Sequence, residues 1–270
     1  MLIRPHSDLH LEFAPILRMI ELETDKDTVL VLAGDVCAVS LWDRIGEPFF
    51  KMVASQFKHV IYVFGNHEFY SGGSFLYSRQ KFKDALMKAG ITNVYLLEKE
   101  TMVIDDVAFV GATLWTDFKR GNPGVMAMSK VYMADYSQTY FDGPPSQGWP
   151  VAPDWRGLRP QDVYRDHADA KDYVFSAVKE QKQLGRKVVL VVHHGVSEQS
   201  VHRRFKGNHM NPAFVSELDA EIIDAQPDIL VHGHVHNVFN YKIGNTQVIV
   251  NPRAYPNEHF DWDEALVVEL

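Results

Sequence analysis

The sequence predicts an α/β fold with a mixed β-sheet system, and three observations support this prediction. Short β-branched or apolar runs recur along the chain and stop at polar residues rich in histidine, aspartate, asparagine and glycine. Segments with helical apolar spacing separate several of these runs. Other runs near the middle of the chain follow one another without a helix, which predicts a β-meander. Strands that alternate with helices form α/β sheets whose sites lie at the carboxyl ends of the strands.

Four apolar runs are predicted as buried central strands because they are hydrophobic along nearly their whole length. A cluster of polar residues directly follows each of them. The runs and clusters are Val29–Ala33 with Gly34 and Asp35, Val60–Phe64 with Gly65 to Glu68, Val188–Val192 with His193 and His194, and Ile229–Val231 with residues 232–236. Asp8 and His10 follow an earlier short run in the same way. We therefore expect the five clusters to converge in space.

The helices are predicted from apolar periodicity and from end signals. One runs from Tyr77 to Ala89 before Gly90, one starts near Pro160 and runs to Leu184, and one opens at Asn211-Pro212 and stops before Pro227. The remaining runs are predicted as strands at Val94–Leu97, Thr101–Ile104, Val107–Ala112, Gln247–Val250 and Ala265–Leu270. The meander and the strands of the tail make the sheet system mixed.

From Thr116 to Asp162 the periodic pattern dissolves. This segment holds six of the thirteen prolines and seven aromatic residues, among them Trp149 and Trp155. A loop of that length without secondary structure is uncommon and often forms a lid or a wall of a site. A surface elaboration or an oligomer contact is an equal alternative. No internal repeat or linker divides the chain, so we expect one domain over residues 1–270 with an insert at about 116–162.

Composition and charge restrict the class of protein. The chain has 270 residues, 46% hydrophobic residues, 23% charged residues and a formal net charge of -8, which is typical of a globular enzyme. An acidic chain lacks the broad basic face that non-specific duplex binding needs. Cys37 is the only cysteine, so internal disulfides and thiolate zinc sites are excluded. Without an apolar run of signal-peptide or membrane-helix length, we expect a cytoplasmic protein with no membrane contact.

The stretch H-G-H-V-H at residues 232–236 places three imidazoles within five residues. A lone histidine on an apolar segment is usually a buried structural residue. Residues two apart on an extended chain point to the same side, and their side chains start about 6.6 Å apart. That spacing is awkward for one small ion and suits two adjacent ions with one imidazole each. The stretch therefore predicts a dinuclear metal site that uses His234 and His236.

The five clusters, in this order, resemble the pattern D-x-H, G-D, G-N-H-[ED], H and G-H-x-H of the calcineurin-like metallophosphoesterases over residues 8–236. The resemblance implies a four-layer αββα sandwich, with two mixed β-sheets face to face and helices outside. It also implies two divalent metal ions bridged by Asp35. The first ion would be held by Asp8, His10 and His236, and the second by Asn66, His193 and His234. One departure is Pro5, which cannot donate to a ladder and predicts a local irregularity in the first strand.

The resemblance and the residue types together imply phosphoester hydrolysis. Carboxylate, imidazole and amide ligands without a thiolate suit manganese, our first expectation, or iron or zinc. Two ions can hold a bridging hydroxide that attacks phosphorus in line with the leaving oxygen. His67 would protonate the leaving group or stabilise phosphoryl charge, and Glu68 would orient His67. Of the adjacent residues His193 and His194, His193 is the expected ligand, and His194 would contact substrate or support the ligands. His232 matches no ligand of the family and would pack or hydrogen-bond behind the site.

Three stretches resemble a narrower group of bacterial and phage metallophosphoesterases. They are S-D-L-H-L-E-F at 7–13, G-A-T-L-W-T-D-F at 111–118 and N-P-R-A-Y at 251–255. This resemblance sharpens the fold and the site but not the substrate. We expect hydrolysis of phosphomonoesters or phosphodiesters of a small molecule or nucleotide. The alternatives are a nuclease or protein phosphatase on the same site, with the basic stretch at 203–206 holding a polyanion, and a non-catalytic scaffold; the oligomeric state does not follow from the sequence.

Overall fold

Two mixed β-sheets pack face to face at the centre of the protein. A computed structural model describes residues 1–16, 18–143, 148–149, 155–258 and 261–270. The strands of the first sheet are β1 (Leu2–His6), β2 (Thr28–Ala33), β3 (His59–Val63), β5 (Val94–Leu96) and β13 (Val268–Glu269). Their order is β13-β1-β2-β3-β5, and only β13 is antiparallel to its neighbour.

The second sheet is also parallel at its centre and antiparallel at both edges. Its strands are β6 (Glu100–Ile104), β7 (Val107–Gly111), β9 (Lys187–Val191), β10 (Ile229–Val231), β11 (Phe239–Ile243) and β12 (Thr246–Val250). Their order is β11-β12-β10-β9-β7-β6, with β11 and β6 antiparallel to their neighbours. A separate short pair joins β4 (Gly73–Ser74) to β8 (Thr139–Tyr140).

Helices cover the outer face of each sheet. The helices are α1 (Glu47–Gln56), α2 (Ser78–Lys88), α3 (Phe118–Gly121), α4 (Pro123–Tyr132), α5 (Asp135–Gln138), α6 (Pro160–Gln183) and α7 (Asp219–Ala225). Side chains of α1 and α2 pack on the first sheet, and side chains of α6 and α7 pack on the second. Within the described ranges, no helix combines the length and apolar character needed to cross a bilayer.

The alternation of side chains along each strand explains the layers. In β2, Val29 and Val31 face the second sheet, whereas Leu30 and Leu32 face the helices. All of these side chains are at most 1% exposed. Both faces are covered, so the run is hydrophobic without a polar alternation, and each buried aliphatic side chain contributes about 1.5–3 kcal/mol. The predicted four-layer sandwich with two mixed sheets is confirmed.

Two predictions about the secondary structure of the insert and of residues 211–226 differ from the structure. The insert is not structureless, because its described part contains α3, α4, α5 and β8; residues 144–147 and 150–154 of it lie outside the described residues. Asn211-Pro212 opens only a single 3-10 turn, and the helix α7 begins later, at Asp219. Between them Val215 pairs with Gly195 in a parallel bridge, and the chain does not continue as a helix. A proline near the start of a helical turn is compatible with a full α-helix or with a single turn. Here the pairing of Val215 with Gly195 ends the helical segment.

Pro5 does not interrupt β1. It stays in register opposite Val31 of β2, and its carbonyl oxygen accepts a hydrogen bond from Asn251 Nδ2 at 2.9 Å rather than from β2. The missing N–H of Pro5 therefore falls on the side away from β2, where β13 pairs only with Leu2 and Ile3. The predicted irregularity is wrong because no ladder bond is required at that position.

Candidate metal centre

The polar clusters meet where the parallel strands of both sheets end. Backbone hydrogen bonds join neighbouring clusters: the Asp8 amide donates to the Gly34 carbonyl at 3.0 Å, and the Gly233 amide donates to the His193 carbonyl at 2.9 Å. Seven predicted ligands are brought to this edge, and all but the last of them are buried: Asp8, His10, Asp35, Asn66, His193, His234 and His236. The clusters converge as their positions at strand ends predict.

One group of donor atoms lies around His10. Its Nε2 atom is 2.9 Å from His236 Nε2 and 3.8 Å from Asp35 Oδ2. His236 Nε2 is in turn 3.4 Å from Asp8 Oδ1. These four side chains can each direct one ligand atom to a common point.

A second group lies on the other side of Asp35. His193 Nε2 is 3.1 Å from Asn66 Oδ1 and 3.4 Å from Asp35 Oδ1. His234 Nδ1 is also 3.1 Å from Asn66 Oδ1. Asp35 thus presents Oδ2 to the first group and Oδ1 to the second, an arrangement in which one carboxylate can bind two ions.

Outer hydrogen bonds orient the ligand atoms toward the centre. Glu258 accepts from His236 Nδ1 at 2.8 Å, and the Ala33 carbonyl accepts from His193 Nδ1 at 2.8 Å. A neutral ring with its proton on Nδ1 presents the lone pair of Nε2, so lone pairs face one another and face carboxylates. The Asn66 amide donates to Tyr70 Oη at 2.9 Å, which turns its oxygen inward. Lone pairs aimed at one another are unfavourable alone and are satisfied by cations, so the residues fit two divalent ions.

The charge distribution agrees with this fit. Although burial favours the neutral carboxyl form, the imidazoles of His193 and His67 hold the pKa of Asp35 well below its usual value. Burial likewise opposes the charged form of histidine, yet Asp35 raises the pKa of His193 to about 9, and bonds to carboxylates raise the pKa of His236 to about 10. The centre therefore favours positive charge, which divalent cations supply at higher density than protons.

Backbone strain is concentrated at the same residues. Five of the seven predicted ligands have positive φ: 51° at Asp8, 45° at His10, 56° at Asp35, 68° at His234 and 49° at His236. A left-handed conformation costs about 1–3 kcal/mol at a non-glycine residue and persists only where the surroundings impose it. The strand-end loops are therefore shaped to aim these side chains, at some cost in stability.

The glycines of the motifs make room for the ligands. A Cβ atom at Gly65 would lie 2.6 Å from His193 Cε1 and would overlap Asp35 Oδ1. A Cβ atom at Gly233 would lie 2.5 Å from Asp8 Oδ2. Real Cβ atoms do not approach other atoms this closely, so a side chain at either position would displace a ligand.

His67 lies at the edge of the first donor group and has two polar partners. Its Nδ1 is 2.8 Å from Glu12 Oε1, and its Nε2 is 3.1 Å from Tyr255 Oη. Glu12 also lies 3.4 Å from His10 Nδ1. Because a carboxylate accepts the Nδ1 proton, Nε2 is the ring atom that remains for a substrate. Burial opposes protonation of His67, but Asp35 and Glu12 raise its pKa above the ordinary value.

Glu68 does not orient His67, so that prediction is wrong. Its carboxylate is fully buried and accepts hydrogen bonds from the amides of Asp35, Val36 and Gly65 and from the Tyr62 hydroxyl, at 2.5–3.1 Å. Burial and, to a smaller extent, the nearby Asp35 carboxylate raise the pKa of Glu68 to about 7. Glu68 shapes the backbone that carries Asp35, and Glu12, not Glu68, contacts Nδ1 of His67.

His194 occupies a different environment from His193. It is 1% exposed, and its ring lies against Trp115 and His234, with centroids 4.9 and 4.1 Å away. Burial and the neighbouring His193 lower the pKa of His194 well below its usual value, so the ring is neutral. His194 does not line the cavity over the centre. The structure therefore does not bring it to a substrate, and it supports the ring of His234 instead.

A cavity of about 500 Å³ opens over the centre. Asp35, Asn66 and His67 line it, and the insert contributes its residues 132–135. Phe205 and other apolar or aromatic side chains form much of the remaining wall. Among the residues that the structure describes, no lysine or arginine lines this cavity. The described part of the insert thus acts as a wall of the site.

Sequence reasoning missed three residues around the centre. Glu12 and Tyr255 lie in the S-D-L-H-L-E-F and N-P-R-A-Y stretches, whose only signal was their resemblance to a narrower group. Glu258 stands in no motif, and only its contact with a candidate ligand shows its role. His232, by contrast, lies behind the site as expected, with Nε2 2.8 Å from Ser200 Oγ.

The fold and the two donor groups define a metal-dependent hydrolase. The family model of the calcineurin-like phosphoesterases matches residues 6–238, and the chain belongs to that family. Enzymes of this family hydrolyse phosphoesters with divalent metal ions. The predicted family membership and enzyme class are confirmed.

Individual relatives are distant. The chain is 21% identical to an uncharacterised protein of Acanthamoeba polyphaga mimivirus over 297 aligned positions, which cover 100% of this chain and 96% of that protein. The solved structure of a phosphopantetheinyl hydrolase from Mycobacterium tuberculosis is similar with a TM-score of 0.68 and 17% identity, covering 96% of this chain and 93% of that one. A putative 5'-nucleotidase from Staphylococcus aureus has a TM-score of 0.49 and 16% identity, covering 92% and 47%. The first of these structures shows the shared fold.

Replacing Gly65 by alanine is expected to remove metal binding without unfolding the protein. The new Cβ atom would collide with Asp35, which both donor groups share, and with His193 of the second group. Metal content after gel filtration, measured by atomic emission, should fall from two ions per chain to less than one. Gly157→Ala is the matched control, because its Cβ atom would meet nothing closer than 3.8 Å. A normal metal content in Gly65→Ala would contradict the placement of the ions between these side chains.

Alanine substitutions should separate the roles of His193 and His194. Wild-type protein supplied with manganese should bind close to two ions per chain. His193→Ala should weaken one of the two ions by 10-fold or more, because loss of an outer partner alone costs about 10–100-fold. His194→Ala should keep both ions and lower the melting temperature, because it removes a buried ring. Isothermal titration calorimetry with manganese measures the number of bound ions and their affinity for each variant, and thermal denaturation measures the melting temperature. A wild type that saturates at one ion would exclude a dinuclear centre.

Proposed function

We propose that residues 1–270 form one metallophosphoesterase domain that hydrolyses the phosphoester of a small organic molecule or nucleotide. The observation that carries this proposal is the pair of donor groups that share the Asp35 carboxylate at the floor of a cavity. Two bound cations would neutralise phosphoryl charge and supply a nucleophile from water at neutral pH. Manganese is the favoured ion for this mixed oxygen and nitrogen set, with iron or zinc as alternatives.

Each ligand has one assigned task in this proposal. Asp35 bridges the two ions, and the outer partners described above keep the ligand lone pairs directed inward. The first ion is assigned to Asp8, His10 and His236, and the second to Asn66, His193 and His234. The strained backbone at five of these residues supports the assignment, because strain of this kind clusters at functional sites.

His67 is assigned to the leaving group. Glu12 holds its Nδ1 proton, so the ring is fixed with Nε2 toward the cavity. The Tyr255 hydroxyl, 3.1 Å from that nitrogen, occupies the position that a substrate oxygen would take or share. An Nε2–H donor there can give a proton to the departing alkoxide, a step that typically contributes about 10²–10⁴ in rate.

The lining of the cavity favours a small substrate over a nucleic acid. Phosphates that flank the scissile one need lysine or arginine partners, and the described lining contains neither. The basic turn at 203–205 presents Phe205 to the cavity, while Arg204 does not line it and instead lies with Nη2 4.0 Å from Oε1 of Glu258, a residue of the cavity wall. Aromatic and aliphatic walls instead suit an apolar or planar organic group.

A substrate panel tests the proposed function. Protein loaded with manganese should be assayed against alkyl and aryl phosphomonoesters, nucleoside monophosphates, linear and cyclic phosphodiesters, phosphopantetheine, phosphopeptides and single-stranded DNA. We expect release of phosphate or cleavage of a diester from at least one small molecule, and none from DNA. Chelation should abolish the activity, and Asp35→Asn is the control without a complete centre. Preferential cleavage of DNA or of a phosphopeptide would overturn the proposal in favour of the corresponding alternative.

Variants of His67 and Glu12 should show a dependence on the leaving group. His67→Ala and Glu12→Gln should lose about 100-fold or more on alkyl esters, because an alkoxide needs a proton to depart. Losses on p-nitrophenyl esters should be much smaller, since that leaving group is stable as an anion. Metal content should stay at the wild-type level for His67→Ala, and His209→Ala, at an exposed histidine, should leave both rates unchanged. Equal losses on both ester classes would show that His67 stabilises phosphoryl oxygens instead.

A further inference from the structure

Asp135 is a buried acidic residue in the wall of the cavity. It lies at the first position of α5, in the insert, lines the cavity and is 1% exposed. Neither of its carboxylate oxygens has a side-chain hydrogen-bond partner among the described residues. Its own backbone N–H and the imidazoles of His67 and His193 lower its pKa by less than burial raises it. Asp135 has no part in the metal centre described above.

The charge of Asp135 is felt on the metal-binding side of the cavity. It lies close enough to Tyr70 to raise the pKa of that phenol, after burial, and it interacts electrostatically with His67 and with Asp35. Burial raises the pKa of Asp135 itself to about 6, so at pH 7 the side chain is still mainly ionised and can only accept hydrogen bonds. An ionised carboxylate without a partner is destabilising, because its desolvation is not compensated.

The position of Asp135 determines which part of a substrate it can meet. A phosphoryl group is anionic and belongs at the two cations, and Asp135 repels it. The remaining part of the substrate, the alcohol that leaves, occupies the rest of the cavity. That space is walled by apolar neighbours such as Met133 and Phe205, which leave the carboxylate as a strong acceptor in apolar surroundings. No hydrogen bond to another described residue opposes a rotation of the Asp135 side chain toward the cavity.

We propose that Asp135 is a specificity residue that accepts a hydrogen bond from a hydroxyl or N–H group on the leaving alcohol. The substrate class is then a phosphoester whose alcohol is largely apolar and carries at least one such donor close to the ester. This inference rests on the proposed function. The inference extends the proposed function, because it assigns a second point of substrate recognition, away from the metal positions, to a residue of the insert.

Matched substrate pairs test this proposal. Adenosine 5'-monophosphate is compared with its 2',3'-dideoxy analogue, and glycerol 1-phosphate with propyl phosphate, so that each pair differs only in hydroxyl donors. For whichever pair the wild type hydrolyses, kcat/KM should favour the donor-bearing ester by about 10- to 100-fold, the usual worth of a hydrogen bond to a charged group. Asp135→Asn should reduce that ratio by 10-fold or more while kcat/KM for the donor-free ester stays within about threefold and metal content is unchanged. Asp106→Asn, which removes the same charge from an exposed turn, is the control.

A stability measurement keeps the test independent of turnover. Asp135→Asn should raise the melting temperature by on the order of 2–4 °C, because an unsatisfied buried charge is removed. A wild type that hydrolyses no ester in the panel would refute the proposed function, whereas the melting temperatures would still report on Asp135. An unchanged ratio in Asp135→Asn would overturn the proposal. A lower melting temperature with equal losses on both members of a pair would show that the carboxylate is structural.

Discussion

The position of the Asp35 carboxylate is the constraint on which the rest of the centre depends. Its oxygens face different donor groups, with Oδ1 3.4 Å from His193 Nε2 and Oδ2 3.8 Å from His10 Nε2. A displacement of this one side chain would therefore disturb both groups. Three features hold it in place: a left-handed backbone at Asp35, the His67 amide donating to Oδ1 at 2.8 Å, and the missing side chain at Gly65.

Three glutamates around the centre perform separate tasks because they meet different atoms. Glu68 binds backbone amides and shapes the loop that carries Asp35. Glu258 binds the outer nitrogen of His236 and directs the inner one to the metal position. Glu12 binds His67 and is the partner of the proposed acid. Identical carboxylates thus act on the backbone, on a proposed ligand and on the proposed acid, according to which donor faces each of them.

The protein combines a stable core with unfavourable features at the site. The strained backbone at five predicted ligands and the Asp135 carboxylate, for which the described residues offer no side-chain hydrogen bond, both destabilise the metal-free chain. Three hydrophobic layers, one between the two sheets and one between each sheet and its helices, offset these costs because dozens of aliphatic and aromatic side chains are buried there. In the proposed function, bound cations would neutralise the carboxylate ligands and a substrate donor would pair with Asp135, so these costs are concentrated at the proposed binding sites.

The sequence by itself determined the buried strands and the polar clusters at their ends, because both are local patterns, and its resemblance to the calcineurin-like metallophosphoesterases implied the four layers and the ligand set. An apolar run with both faces covered and a polar cluster directly after it are visible within ten residues, and parallel strands bring their ends to one edge. Only the tertiary structure decided which groups contact His67. Glu68 is adjacent to it in sequence, but neighbouring residues of a helical turn do not face each other, whereas Glu12 and Tyr255 arrive from 55 and 188 residues away. Contacts across such separations depend on how the two sheets and the tail pack, as does the burial of Asp135 without a partner, and no periodicity in the chain records that packing.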